Sequence, residues 1–208
     1  MTQLEWVAAT CGFLSVACYI YRSFWAWPTG LVQVLLYVGV FLQSKLYADM
    51  VLHVVYVGLQ CYGWWAWHHA VIQCKTNSPD SRVSSPISPQ VRVRSLTVRE
   101  LLLVLGCVVL MTVCVALALM RWTDARLPIP DSLVAATSIA AQLLLARRFL
   151  ENWLFWIVVD IVGVGLFASR GLYPTAALYT LFGAMAVVGW LQWRRASHTE
   201  GSQSLAAL

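Results

Sequence analysis

Charge is scarce in this sequence: nine Asp plus Glu and fourteen Lys plus Arg among 208 residues amount to only 11%. With 60% hydrophobic residues and a mean hydropathy of +0.71, that scarcity excludes an ordinary soluble globular domain. Room for a sizeable aqueous domain is missing too, since at about 20 residues per crossing the chain holds at most about eight to ten spans. No lysine or arginine falls near the middle of an apolar run, which disfavours a phosphorylated ligand. A disulfide or metal framework is equally absent. Cys11, Cys18, Cys61, Cys74, Cys107 and Cys114 lie almost wholly within apolar runs, where free cysteine behaves as a small hydrophobe, so neither metal nor cofactor is expected. The net charge of +5 does not signal nucleic acid, because the basic residues are scattered rather than interleaved with aromatics on one face. The start, Met1-Thr2-Gln3-Leu4-Glu5, lacks the basic region of a secretory signal, so the run that follows is expected to remain as a span.

Apolar length is what the chain has in abundance. Seven segments are delimited by polar and proline punctuation: 4–21, 27–43, 46–70, 98–120, 131–147, 150–169 and 172–193. They predict an all-α integral membrane protein with seven transmembrane helices in a lipid bilayer. The one long break is rich in serine, proline and arginine and is expected to be a flexible cytoplasmic linker over 71–97; a polar cytoplasmic tail is expected over 194–208. Seven crossings put the termini on opposite sides. With the N-terminus outside, Arg22, Lys75, Arg82, Arg92, Arg94, Arg99, Arg147, Arg148, Arg194 and Arg195 lie inside, against Lys45, Arg121, Arg126 and Arg170 outside. Basic loops resist translocation, so this bias predicts an external N-terminus and a cytoplasmic C-terminus.

The first and last three segments read as copies of one unit. Val7-Ala8-Ala9-Thr10 returns as Val134-Ala135-Ala136-Thr137. After a one-residue gap, an offset of 126 carries Trp27 to Trp153, Leu46-Tyr47 to Leu172-Tyr173, Tyr56 to Phe182, Gly63-Trp64 to Gly189-Trp190, and Trp67 to Trp193. A directly joined second copy of a three-span unit would be inverted; one extra span restores its orientation. Residues 98–120 supply that linker helix between repeats over 1–70 and 131–193, a 3+1+3 arrangement of parallel repeats. Transporters with such repeats bind substrate near the midplane where the halves meet, so the architecture favours transport over catalysis.

Of the nine acidic residues, only Asp160 sits deep in a segment. It lies nine residues beyond Glu151, ~13.5 Å along a helix and close to the middle of a ~30 Å core. A carboxylate there costs roughly 2.5 to 3.5 kcal/mol on insertion scales and should face the bundle interior or a wet cavity. Asn152, Trp156 and Asp160 recur every fourth residue and share one face. His53, Tyr56, Gln60, Trp64 and Trp67 form a stripe on the third segment, and the repeat places Tyr179 opposite His53. Thr29, Gln33 and Tyr37 form another stripe, and Gln142 adds a mid-span amide. Of eleven tryptophans, Trp25, Trp27, Trp65, Trp67, Trp122 and Trp193 lie near segment ends, where an interface belt is expected. Trp156 lies deeper. A carboxylate beside an indole, with amides and tyrosines available, suits a flat heteroaromatic cation bearing hydroxyls.

Glu151-Asn152-Trp153-Leu154-Phe155-Trp156 running to Asp160, then Gly171-Leu172-Tyr173, with Leu46-Tyr47-Ala48-Asp49 and Tyr62-Gly63-Trp64, resemble the PnuC family of bacterial vitamin transporters. The resemblance covers nearly all of the chain outside the linker and tail. It implies a SWEET-like fold, a homotrimer in the bacterial inner membrane, and uptake of nicotinamide riboside by facilitated diffusion. It also implies functional coupling to a cytoplasmic kinase that phosphorylates and traps the imported riboside. Asp160 would pair with the cationic ring and Trp156 would stack on it. Asn152, Gln33, Tyr37, His53, Tyr56 and Gln60 would orient polar groups, with Trp153 in support. The chain departs from the riboside carriers of that family in having Asp160 where they have asparagine and His53 where they have glutamine. Related members carry thiamine or riboflavin, and Asp160 also suits the thiazolium of thiamine. A proton-coupled symporter could use the midplane acid as a relay. A membrane enzyme using Asp160 and His53 as acid and base lacks a nucleophile, metal set or phosphate loop. Pro28 and Pro174 do not reproduce the proline pattern of a SWEET sugar carrier.

Overall fold

The computed structural model describes residues 3–43, 47–77, 93–123 and 127–206. These form seven helices: α1 (Gln3–Ile20), α2 (Ala26–Gln43), α3 (Tyr47–Asn77), α4 (Val98–Trp122), α5 (Pro128–Ala146), α6 (Asn152–Ser169) and α7 (Tyr173–Ala206). Most of the expected linker, together with Lys45, Leu46, Arg82, Arg92 and Arg126, lies outside the described residues. Among the described residues, α4, α5, α6 and Tyr173–His198 of α7 are long and apolar enough to cross a membrane; Val7–Ile20 and Ala26–Val40 are shorter apolar helices. The sequence reading of seven spans thus meets seven helices, four of which satisfy length and apolarity by themselves.

Two helices outrun their apolar segments. α3 continues to Asn77 and α7 to Ala206, through what the sequence reading assigns to the linker and the tail. Apolarity marks where a helix suits lipid, whereas backbone hydrogen bonding continues through polar residues until a breaker intervenes. At α4 the boundary is chemically explicit. Glu100 N–H donates to Thr97 Oγ1 at 3.3 Å while Thr97 N–H donates to Glu100 Oε2 at 2.8 Å, a reciprocal capping box. Pro128 opens α5, where its missing N–H costs nothing.

The described residues divide into two compact units. The first is Met1–Val93 with Ala146–Arg148 and Gln192–Leu208; the second is Arg94–Leu145 with Phe149–Leu191. In the first, α1 packs on α2 and α2 on α3. The second has a core of Val108, Ala136, Ala141, Leu144, Phe149 and Phe155, with Trp156 packed against it. The segment before α4 is held there by Leu150 N–H donating to Arg94 O at 2.8 Å and by the Arg94 guanidinium 5.2 Å from the Phe149 ring centroid.

The α1–α2 and α5–α6 turns repeat one another at the offset read from the sequence. Arg22 (φ 54°) and Arg148 (φ 66°) both adopt the left-handed conformation that ends a helix. Ser23 N–H reaches Cys18 O at 2.8 Å, and Phe149 N–H reaches Leu144 O at 3.0 Å. Trp27 N–H bonds Phe24 O, and Trp153 N–H bonds Leu150 O, at 3.4 and 3.3 Å. Each turn delivers a buried tryptophan onto a glycine: Trp27 covers Gly63 and Trp153 covers Gly189, so closely that neither glycine could carry a Cβ without displacement.

Candidate functional site

In the second unit, α6 carries the deep polar residues. Asn152 is fully buried at its start, with Nδ2 donating to Phe149 O at 2.6 Å, which ties the helix to the preceding turn. Its Oδ1 has no hydrogen-bond partner among the described residues. Trp153 is buried over Gly189, and Trp156 is half-buried against the core. Asp160 is buried two turns on, with Gly183 of α7 against it; a Cβ there would lie 3.3 Å from Asp160 Cβ. Asp160 lines an open-sided cavity of about 370 Å³ together with Tyr179, Thr180, Gly183 and apolar residues including Ile157 and Val187. Tyr179, which the sequence reading places opposite His53, covers Gly163 and lies 5.0 Å from the Phe167 ring. The cavity thus joins a carboxylate to a phenol and a hydroxyl. Thr180 uses its own hydroxyl proton on Ala176 O at 2.9 Å, which leaves its oxygen as an acceptor.

In the first unit, Tyr37 of α2 meets His53 of α3 at 5.5 Å, and His53 meets Tyr56 at 5.7 Å. These three form one aromatic group with polar atoms at its rim. Gln60, a turn further along α3, is buried elsewhere: its Oε1 accepts from Tyr19 Oη at 2.8 Å. Gln33 lies against Gly12 of α1, where a Cβ would fall 2.8 Å from its Nε2. Tyr19 belongs to a buried aromatic cluster, edge-on to Trp27 at 5.1 Å and to Trp67 at 6.4 Å. Trp193 joins it at 6.4 Å from Trp67 and donates its indole N–H to Tyr19 O at 3.0 Å.

This cluster corrects the expected interface belt. Trp25, Trp65 and Trp122 are 68, 59 and 80% exposed, as a belt requires, but Trp27 and Trp67 are 0% and Trp193 1% exposed. An indole at a helix end serves equally well in a belt or in a packed end, and only the neighbouring helix decides. Sequence reasoning also missed Tyr19 and Thr180. The ion pair of Arg170 with both Asp131 oxygens, at 2.9 and 2.8 Å, was hidden because the two residues read as loop charges.

A family model described as the nicotinamide mononucleotide transporter matches residues 2–195. The chain belongs to that family. Its relatives include the nicotinamide riboside transporter PnuC of Escherichia coli, 27% identical over 230 residues and spanning 99% of this chain and 91% of the relative. The Neisseria mucosa transporter of the same name is 28% identical, covering 92% of this chain and 73% of its own length. The riboflavin/roseoflavin transporter RibM of Streptomyces davaonensis is also 28% identical, with 93% and 87% covered. A crystal structure of the vitamin B3 transporter PnuC matches with a TM-score of 0.75 at 28% identity, over 94% of this chain and 82% of that one. The family is one of membrane transporters rather than enzymes, in agreement with the resemblance drawn from the residues.

Proposed function

We propose that this transporter carries nicotinamide riboside inward across the bacterial inner membrane by facilitated diffusion with alternating access. A cytoplasmic kinase would phosphorylate the cargo and keep its gradient inward. Asp160, a carboxylate buried mid-helix and lining a cavity, supports a cationic cargo, and the relatives named as nicotinamide riboside transporters support the riboside among such cations. An uncompensated carboxylate at that depth costs roughly 2.5 to 3.5 kcal/mol, and a pyridinium cation offsets the cost by neutralising it. In this reading Trp156 stacks on the ring and Trp153 supports it. Asn152, Gln33, Tyr37, His53, Tyr56 and Gln60 orient the amide and hydroxyls. The family's description names the mononucleotide, yet the middles of the seven apolar segments hold no lysine or arginine to meet a phosphate. The unphosphorylated riboside is therefore the cargo.

The same carboxylate suits the thiazolium of thiamine, which stands as the second reading. The match to a riboflavin transporter supports a family that handles more than one vitamin, but the neutral flavin ring gives Asp160 no counter-charge. The proposal extends to a 3+1+3 SWEET-like arrangement with α4 as linker, assembled as a homotrimer, N-terminus outside. Calorimetric titration of the purified protein with nicotinamide riboside, thiamine, riboflavin and nicotinamide mononucleotide tests the cargo. The riboside should bind most tightly, and tighter binding of thiamine would reassign it. Uptake into vesicles should proceed without an imposed pH gradient; uptake that requires one would make the protein a symporter.

A further inference from the structure

In three places this fold seats an aromatic ring on a helix glycine: Trp27 on Gly63, Tyr179 on Gly163 and Trp153 on Gly189, where a Cβ would fall within 3.0 Å of the ring. Gly165, by contrast, has nothing within 4 Å of an added Cβ. Gly183 of α7 fits neither case. A Cβ on it would lie 3.3 Å from Asp160 Cβ and 3.8 Å from Asp160 Oδ2, and the three atoms nearest to that Cβ all belong to Asp160. Gly183 also lines the open-sided cavity, beside the same carboxylate. Asp160 is 6% exposed and makes no hydrogen bond or ion pair among the described residues. A hydrogen in place of a methyl at 183 therefore leaves Oδ2 bare toward the cavity.

We propose that Gly183 is a specificity-determining residue of the transporter: the space a side chain would take there seats the flat cationic ring of the cargo against the Asp160 carboxylate. The inference rests on the proposed transport of a vitamin cation. A methyl group at 183 would hold the ring off by about 1.5 Å, the length of one C–C bond. From a contact distance of about 4 Å, that step removes roughly a quarter of the attraction between the two charges. A glycine needed only for helix packing would have no such link to the cargo.

The test uses the full-length purified protein and nicotinamide riboside. Gly183→Ala should weaken binding about five- to tenfold by calorimetry, and Gly183→Val should bind more weakly still. Gly165→Ala should change affinity less than about twofold. A second measurement reads the position of the cargo and holds even if Gly183→Val fails to fold. Gly183→Cys, in a chain whose six native cysteines are replaced by alanine, should react with a small methanethiosulfonate reagent. Riboside at about ten times its dissociation constant for that variant should slow the reaction at least about fivefold, while Gly165→Cys should react at an unchanged rate. Undiminished affinity in Gly183→Ala, or a cysteine at 183 that does not react or reacts equally fast with the cargo present, would each overturn the proposal. A wild-type protein that binds thiamine and not the riboside overturns the cargo assignment instead, and the same measurements with thiamine, also a flat cation, then decide the role of Gly183. Binding of neither cation overturns both readings.

Discussion

Asp160 lies within α6 and Glu151 immediately before it, and they differ in surroundings: Asp160 is buried and lines the cavity, whereas Glu151 stands at the N-cap position, outside that lining. Asp160→Ala is expected to weaken riboside binding at least about tenfold, ~1.4 kcal/mol. Glu151→Ala should change it less than about twofold. Titration calorimetry on both variants checks this, and equal effects would remove Asp160 from the site. The depth of Asp160 was legible in the sequence because eight of the nine acids fall near segment ends or in loops. The situation of Asn152 was not. Its four-residue spacing from Trp156 placed it on the same face, but its Nδ2 is spent on Phe149 O and the residue is fully buried, a contact that depends on the turn geometry rather than on helical periodicity.

At the scale of elements, packing of α2 on α3 and of α6 on α7 depends on glycines that admit an indole. Gly63→Ala and Gly189→Ala each force a Cβ into Trp27 or Trp153 and should destabilise the protein by about 1–3 kcal/mol, read as a fall in melting temperature. Gly39→Ala, with nothing within 4 Å of the added Cβ, should leave melting unchanged or raise it. The Arg170–Asp131 pair joins the end of α6 to the start of α5 with both side chains about a third exposed. Arg170→Ala should cost only about 0.2–1 kcal/mol, and less in high salt, because water and ions screen exposed pairs. These element-level contacts were partly legible. The offset of 126 aligned both tryptophan and glycine partners, since a recurring spacing is a one-dimensional property; which indole lies on which glycine needed the helices placed side by side.

For the whole molecule, the asymmetry of basic residues predicts which way the chain is threaded. A tag after Leu208 should be protected from protease added outside intact cells and cleaved after the membrane is opened, with the reverse result overturning the orientation. Passive transport predicts that uptake in vesicles stops at equal concentrations on both sides unless a kinase and its nucleotide are enclosed. Accumulation above equality without them would demand a driving ion.

The sequence by itself determined the solvent of this protein, its helical class and the recurrence of its turns. Apolar run length decides whether lipid or water suits a segment, and a repeated spacing repeats the local backbone solution, as Arg22 and Arg148 illustrate. Tertiary structure alone decided that Trp27, Trp67 and Trp193 are buried rather than interfacial, that Tyr19 holds Gln60, and that Asp160 shares a cavity with Tyr179 and Thr180. Those outcomes include pairs 41 and 174 residues apart in the chain. Such pairs are fixed by which helix faces abut, and local periodicity encodes a face but not its partner.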